Sequence, residues 1–310
     1  MKFAMVFPGQ GSQSVGMMQA YGELPGVRET LAEASEVLGQ DIARLMAEGP
    51  AEELNRTVNT QPVMVTAAYA AYRGWRALGG PEPDMLAGHS LGEYTALVVA
   101  GVLSFAQCLP LVRLRARAMQ EAVPEGTGAM AAILGLDDDG VAAACAEASA
   151  GEVVEAVNFN APGQVVIAGH AAAVRRGVDA AKARGARRAI MLAVSAPFHS
   201  SLMAPAALRL SEALAAVDLR EPRIPVIHNF DAARHADPTG IRKVLCAQAD
   251  HPVKWSQSIA AMAEAGIGRV LECGPGKVLA PLSARIASGM QGAALCDRAS
   301  LEKALGEMAA

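Results

Sequence analysis

The chain has 310 residues, 52% of them hydrophobic and 19% charged, a balance that supports a large buried core and excludes a disordered chain. Its net charge is −4 and no basic run carries interleaved aromatics, so nothing favours nucleic acid as a partner. Five cysteines (Cys108, Cys145, Cys246, Cys273 and Cys296) are scattered without metal-ligand or Cys-x-x-Cys spacing, and the odd count fits a reducing compartment.

The first predicted element is a buried strand over 2–7, stopped by Pro8-Gly9. It is too short for a signal-peptide core. The longest apolar stretch, around 96–103, falls far short of the ~20 residues of a membrane helix. A cytoplasmic protein with no membrane partner is the expectation. Helical patterns follow over 27–38 and 63–78. A strand over 84–87 then leads into a glycine turn and two helices, over 93–102 and 105–121. Strand followed by helix, repeated, predicts a parallel sheet covered on both faces.

The segment 123–128 reads as a linker. Beyond it the pattern predicts a strand over 130–136, a helix over 138–149, strands over 153–159 and 164–168, a helix over 172–184 and a strand over 188–194. That β-α-β-β-α-β order is the ferredoxin-like arrangement, with Asn160-Ala161-Pro162-Gly163 as its central hairpin turn. Further buried strands are predicted over 224–229 and 269–272, the second running into Cys273-Gly274-Pro275-Gly276 and a helix. The predicted architecture is a large α/β-hydrolase-like domain with a parallel sheet core, residues 1–125 and 196–310. A small ferredoxin-like α+β domain is inserted at 126–195.

Gly88-His89-Ser90-Leu91-Gly92 has the form G-x-S-x-G, the nucleophile elbow. A strand precedes it and a helix follows, the order the motif requires. Ser90 is therefore the candidate nucleophile, and its hydroxyl needs a base. Of the six histidines, His89 adjoins Ser90 and reads as a structural or pocket-wall residue. His170, His228, His235 and His251 lie on turns, strand ends or polar loops. His199, in Ser195-Ala196-Pro197-Phe198-His199-Ser200-Ser201 where the chain leaves the inserted domain, stands where a cleft would form. No acid offers itself to orient that base; a backbone carbonyl could, giving a dyad. The Leu91 N–H suits an oxyanion hole, and the Gly9-Gln10-Gly11 loop suits its second donor. That loop fails the dinucleotide fingerprint, because Ser14 stands where the third glycine belongs, and no Gly-Lys-Ser/Thr completes a P-loop.

Arg115 falls on a mostly apolar stripe of the 105–121 helix with Cys108, Leu111, Val112, Ala118 and Met119, while Arg113 and Arg117 face the other way. A buried guanidinium without an anion costs several kcal/mol. Either a distant side chain or a substrate carboxylate must answer it.

Taken together these residues resemble the malonyl-CoA:acyl-carrier-protein transacylase family of fatty-acid synthesis, over essentially the full length. The marks are Phe7-Pro8-Gly9-Gln10-Gly11-Ser12-Gln13, Gly88-His89-Ser90-Leu91-Gly92-Glu93-Tyr94, Arg115, Asn158-Phe159-Asn160-Ala161-Pro162-Gly163-Gln164, Ser195-Ala196-Pro197-Phe198-His199-Ser200 and Glu272-Cys273-Gly274-Pro275-Gly276-Lys277. The resemblance implies Ser90 as nucleophile and His199 as base. It implies an oxyanion hole at the N–H groups of Gln10 and Leu91, and the Gln248 carbonyl orienting His199. It makes Arg115 the holder of the malonyl carboxylate, with His89, Phe198 and Asn160 at the substrate site, and Phe198 filling the space a methyl branch would need. His228 and His251 depart from the family pattern, which has small polar residues or asparagine there.

Malonyl-CoA and acyl carrier protein are the implied partners, with no cofactor, no metal and a monomeric chain. Carrier proteins are acidic, so a basic patch is expected, with Lys182, Arg184, Arg187 and Arg188 as candidates. The alternatives are the transacylase subunit of a malonate decarboxylase complex, a serine thioesterase or esterase, and a nucleotide-binding module using the Gly9–Gly11 loop.

Overall fold

In the computed structural model, which describes residues 1–194 and 196–309, two sheets pack side by side. Ser195, the first residue of the His199 motif, lies outside the described residues. The strands are β1 (Phe3–Phe7), β2 (Met85–Gly88), β3 (Gly128–Leu134), β4 (Val154–Ala161), β5 (Gln164–His170), β6 (Arg188–Met191), β7 (Val226–Ile227), β8 (Arg269–Cys273) and β9 (Gln291–Leu295).

The first sheet is parallel, in the order β7-β2-β1-β8-β9. β1, β2 and β8 are buried along their whole length, as strands covered on both faces must be. Their Phe-Ala-Met-Val-Phe and Met-Leu-Ala sequences supply that burial. The helices Thr57–Ala77, Gly92–Ala100 and Phe105–Glu121 pack together on one side. Ser104 caps the last of them in a reciprocal capping box with Gln107.

The second sheet is antiparallel, in the order β4-β5-β3-β6. Its elements run β-α-β-β-α-β, with helices Asp138–Ala148 and Ala171–Ala183 burying one face through Ile133, Val165, Ile167 and Val174. The other face, carrying Met130, Val157 and Val166, meets Leu192, Val194 and Phe198. Two hydrogen bonds tie β4 to the segment that leads into the Trp255–Glu264 helix: Phe159 N–H donates to the Val253 carbonyl at 3.0 Å, and Val253 N–H donates to the Val157 carbonyl at 2.8 Å.

Several boundaries differ from the sequence reading. β6 ends at Met191 rather than at 194, because Leu192 and Val194 turn into the cleft. β4 continues to Ala161, which leaves Pro162-Gly163 alone as the turn. β7 keeps only Val226 and Ile227, since the chain at His228 and Asn229 bonds elsewhere: His228 N–H to the Ala233 carbonyl, and Asn229 N–H to Glu93. The helix expected from 63 begins at Thr57 and runs through Pro62. β9 was not anticipated, because Gln-Gly-Ala-Ala-Leu is a weak strand sequence that an edge position tolerates.

The carboxyl ends of β1, β2 and β7 place three chain segments at one spot, where open α/β sheets bind ligands. These are the Pro8–Gly11 loop, the elbow and Asn229. The elbow needs its glycines. A Cβ on Gly88 would lie 1.9 Å from the Gly92 carbonyl carbon, and one on Gly92 would lie 2.1 Å from the Phe7 carbonyl oxygen. Both obstacles are backbone. Gly88→Ala is therefore expected to cost at least about 3 kcal/mol and to abolish Ser90 acylation. Thermal unfolding and labelling with a serine-directed reagent check this; a labelled variant of normal stability would contradict it.

Candidate active site

Ser90 stands between β2 and the Gly92–Ala100 helix with φ 51°, a left-handed conformation that non-glycine residues seldom adopt. The turn is held by Asn229, which is wholly buried. Its Oδ1 accepts from the Ser90 N–H at 2.6 Å, and its Nδ2 donates to the Gly88 carbonyl at 2.7 Å. Thus one amide side chain clamps the backbone on both sides of His89.

Ser90 Oγ lies 2.6 Å from His199 Nε2. His199 Nδ1 lies 2.8 Å from the Gln248 carbonyl oxygen, so Nδ1 carries the proton and Nε2 is free to accept one. His199 is buried, also at positive φ (65°). Burial, and then the nearby positive charge of Arg115, push its pKa down to about 3, against the opposing hydrogen bond to Gln248. The imidazole is neutral at physiological pH, the form a general base needs.

Leu91 and Gln10 line the same cavity of about 130 Å³ as Ser90 and His199. Among the hydrogen bonds of the described residues, neither backbone N–H has an acceptor. With the Ser90 N–H taken by Asn229, these two amides are the open donors near Oγ.

Arg115 is 2% exposed. Nη1 donates to Gln61 Oε1 at 2.8 Å; Nη2 donates to Gln248 Oε1 at 3.0 Å and to Ser90 Oγ at 3.2 Å. Its guanidinium carbon sits 5.5 Å from the Tyr94 ring centroid. Burial lowers its pKa, yet a guanidinium stays charged. Of the two answers left open by the sequence, distant side chains do meet it, Gln61 and Gln248, but through neutral amide oxygens; among the described residues no carboxylate forms an ion pair with it.

His89 lines the cavity, Nε2 at 2.7 Å from Asn160 Oδ1, and burial lowers its pKa. Phe198 lines it too. Asn160 lines instead an adjoining groove of about 320 Å³, which shares Gln10 and His89 and runs out to Val278 and Leu282. His228 and His251 do not reach the cavity. His228 is buried with Nδ1 at 2.8 Å from Glu93, and His251 is bonded to Asp250 and the Ala247 carbonyl. Of the basic candidates, Lys182 pairs with Asp179 at 3.9 Å and Arg184 with Glu147 at 2.6 Å. None of Lys182, Arg184, Arg187 and Arg188 lines the cavity or the groove.

A family model described as an acyl transferase domain matches residues 4–296. The chain belongs to this acyl transferase family. The malonyl CoA-acyl carrier protein transacylase of Escherichia coli (strain K12) is 52% identical over 305 residues, 98% of this chain and 99% of that protein. Its counterpart from Bacillus subtilis (strain 168) is 42% identical over 306 residues, 98% of this chain and 96% of that one. Among solved structures, an acyl-carrier-protein S-malonyltransferase from Burkholderia pseudomallei 1710b matches with a TM-score of 0.97 at 60% identity, covering 99% of this chain and 100% of its own. A malonyl-transacylase in complex with a type II PKS acyl-carrier protein matches with a TM-score of 0.97 at 49% identity, covering 99% and 100%.

Sequence reasoning missed three residues of this acyl transferase site. Asn229 carried a faint signal, as a polar residue ending a predicted buried strand. Gln61, beside Pro62 in an apolar helix, gave no more than its polarity in buried surroundings, and Glu93 stood in the elbow motif without a role assigned to it.

The low His199 pKa fixes the pH response of the free enzyme. Ser90 acylation by a neutral active ester should stay level from about pH 8 down to about pH 5. It then falls as the pH approaches about 3, because the imidazole accepts a proton only while neutral. Arg115→Met removes a neighbouring positive charge and should move that inflection upward. A wild-type inflection near about 6.5 would contradict this environment.

Proposed function

We propose that the protein moves a malonyl group from malonyl-CoA to the phosphopantetheine thiol of an acyl carrier protein, through a malonyl ester on Ser90. The observation that carries the acyl identity is Arg115: a buried guanidinium with no carboxylate partner among the described residues, 3.2 Å from the Ser90 oxygen. An esterase of neutral acyl groups has no use for such a cation. The names of the relatives carry the acceptor, acyl carrier protein.

The steps follow the geometry. His199 Nε2 takes the Ser90 proton as Oγ attacks the thioester carbonyl. The Gln248 carbonyl holds the ring and stabilises the imidazolium that forms. The tetrahedral oxyanion rests on the Gln10 and Leu91 amides. The C–S bond breaks, coenzyme A leaves with the proton from His199, and the acyl group stays on Oγ. The carrier thiol then gives its proton to His199 and attacks the ester; the C–O bond breaks and Ser90 regains its proton. Throughout, Arg115 binds the carboxylate at the far end of the acyl group, and Phe198 narrows the space beside it. Ser90, His199, Arg115, Gln10 and Leu91 all come from one chain, so a single copy holds the whole apparatus.

Brief mixing with malonyl-CoA should give a malonyl adduct on Ser90 by intact mass, faster than acetyl-CoA gives an acetyl adduct, and carrier protein should discharge it. Arg115→Ala should shift the preference toward acetyl by about tenfold or more. An adduct resolved by water alone, or an unchanged preference in that variant, would overturn the reading.

A further inference from the structure

Arg115 poses a physical problem that the surrounding side chains solve in an unusual way. A buried guanidinium is most often paired with a carboxylate. Here its two contacts on the framework are amide oxygens, Gln61 Oε1 at 2.8 Å and Gln248 Oε1 at 3.0 Å. Both glutamines are 1% exposed. Neutral oxygens satisfy two N–H groups yet leave the net charge in place. The Arg115 Nε is buried and has no hydrogen-bond partner among the described residues.

The arrangement of Gln248 is itself imposed. A carboxylate offers only acceptors. Glu93 Oε2 lies 2.9 Å from Gln248 Nε2 and also accepts from the Asn229 N–H at 3.0 Å, while Oε1 faces His228 Nδ1 at 2.8 Å. Gln248 Nε2 donates as well to the Ser90 carbonyl at 2.9 Å. Two acceptors therefore claim the amide nitrogen, and the amide oxygen is left to face Arg115. The carboxylate that might have neutralised the arginine is kept one hydrogen bond away, and its partners turn it elsewhere.

We infer that Gln61 and the Gln248 side chain are specificity-determining positioning residues, which hold the Arg115 guanidinium at Ser90 without cancelling its charge and so reserve it for a carboxylate on the acyl group. This deepens the proposed function and rests on it. A glutamate in place of Gln61 would supply the counter-charge permanently and compete with the substrate.

Gln61→Glu is the cleaner test, because among the described residues the Gln61 amide nitrogen meets only Met119 Sδ, at 3.9 Å, and no carboxylate. Ser90 acylation by malonyl-CoA and by acetyl-CoA is followed by intact mass, and the ratio of the two rates is the readout. A general loss of structure lowers both rates, whereas a spent charge lowers the ratio. The ratio should fall by about tenfold or more in Gln61→Glu, and by less in Gln61→Met, which removes the oxygen but adds no charge. Gln248→Glu is not equivalent, because its carboxylate would lie against Glu93; Gln61→Asp, with a shorter acidic side chain, serves if Gln61→Glu does not fold. A ratio within about twofold of wild type in the folded acidic variant, or an equal fall in Gln61→Met, overturns the inference alone. A wild-type enzyme with no malonyl preference overturns the functional reading and this inference with it.

Discussion

Among the described residues the buried guanidinium of Arg115 has no ion-pair partner, and the site is organised around that constraint. The Phe105–Glu121 helix can bury it because Gln61 and Gln248 reach it from two other segments. The same Gln248 offers its main-chain carbonyl to His199, so base and cation share one support. Their closeness has a price in basicity: the positive field of the arginine helps keep the imidazole unprotonated. A carboxylate arriving at Arg115 would weaken that field just as His199 must accept a proton. Binding the acyl group and readying the base are thus electrostatically linked.

Glu93 is the second centre. Lying wholly buried in the first turn of the elbow helix, it gathers donors from His228, Asn229 and Gln248. Asn229 in turn clamps the turn at Ser90, and Gln248 supports His199 and Arg115. Nucleophile, base and cation, which come from distant parts of the chain, are thereby referred to a single carboxylate. Among the described residues no acid touches the histidine itself. In place of the acid of a serine triad, Glu93 lies one layer further out, where it fixes positions rather than stabilising the imidazolium directly.

Much of this was legible in the sequence, and the reason is local. The elbow is a contiguous motif whose glycines answer to nearby backbone. β1, β2 and the helix bearing Arg115 are written in strong apolar periodicity. The missing orienting acid was visible as an absence, and the Gln248 carbonyl fills that place. The amide partners were not legible. Gln61, Gln248 and Asn229 act through contacts 54, 133 and 139 residues apart in sequence, and no periodicity encodes such pairings. β9 escaped because an edge strand of small residues lacks apolar alternation, and β7 came out short because its predicted end is spent on the site. His228 looked like a departure from pattern; packed against Glu93, it is a framework residue.

The pair of hydrogen bonds between Val253 and the β4 backbone ties the antiparallel sheet to the segment that leads into the Trp255–Glu264 helix, and the His89–Asn160 hydrogen bond ties it to the elbow. Swinging the smaller sheet outward would have to rupture these contacts. The groove past Asn160 and Val278 adjoins the cavity through Gln10 and His89, and it is a place where a thin, flexible tether bearing its cargo at the tip would lie. A bulky carrier can remain outside while only its arm goes in.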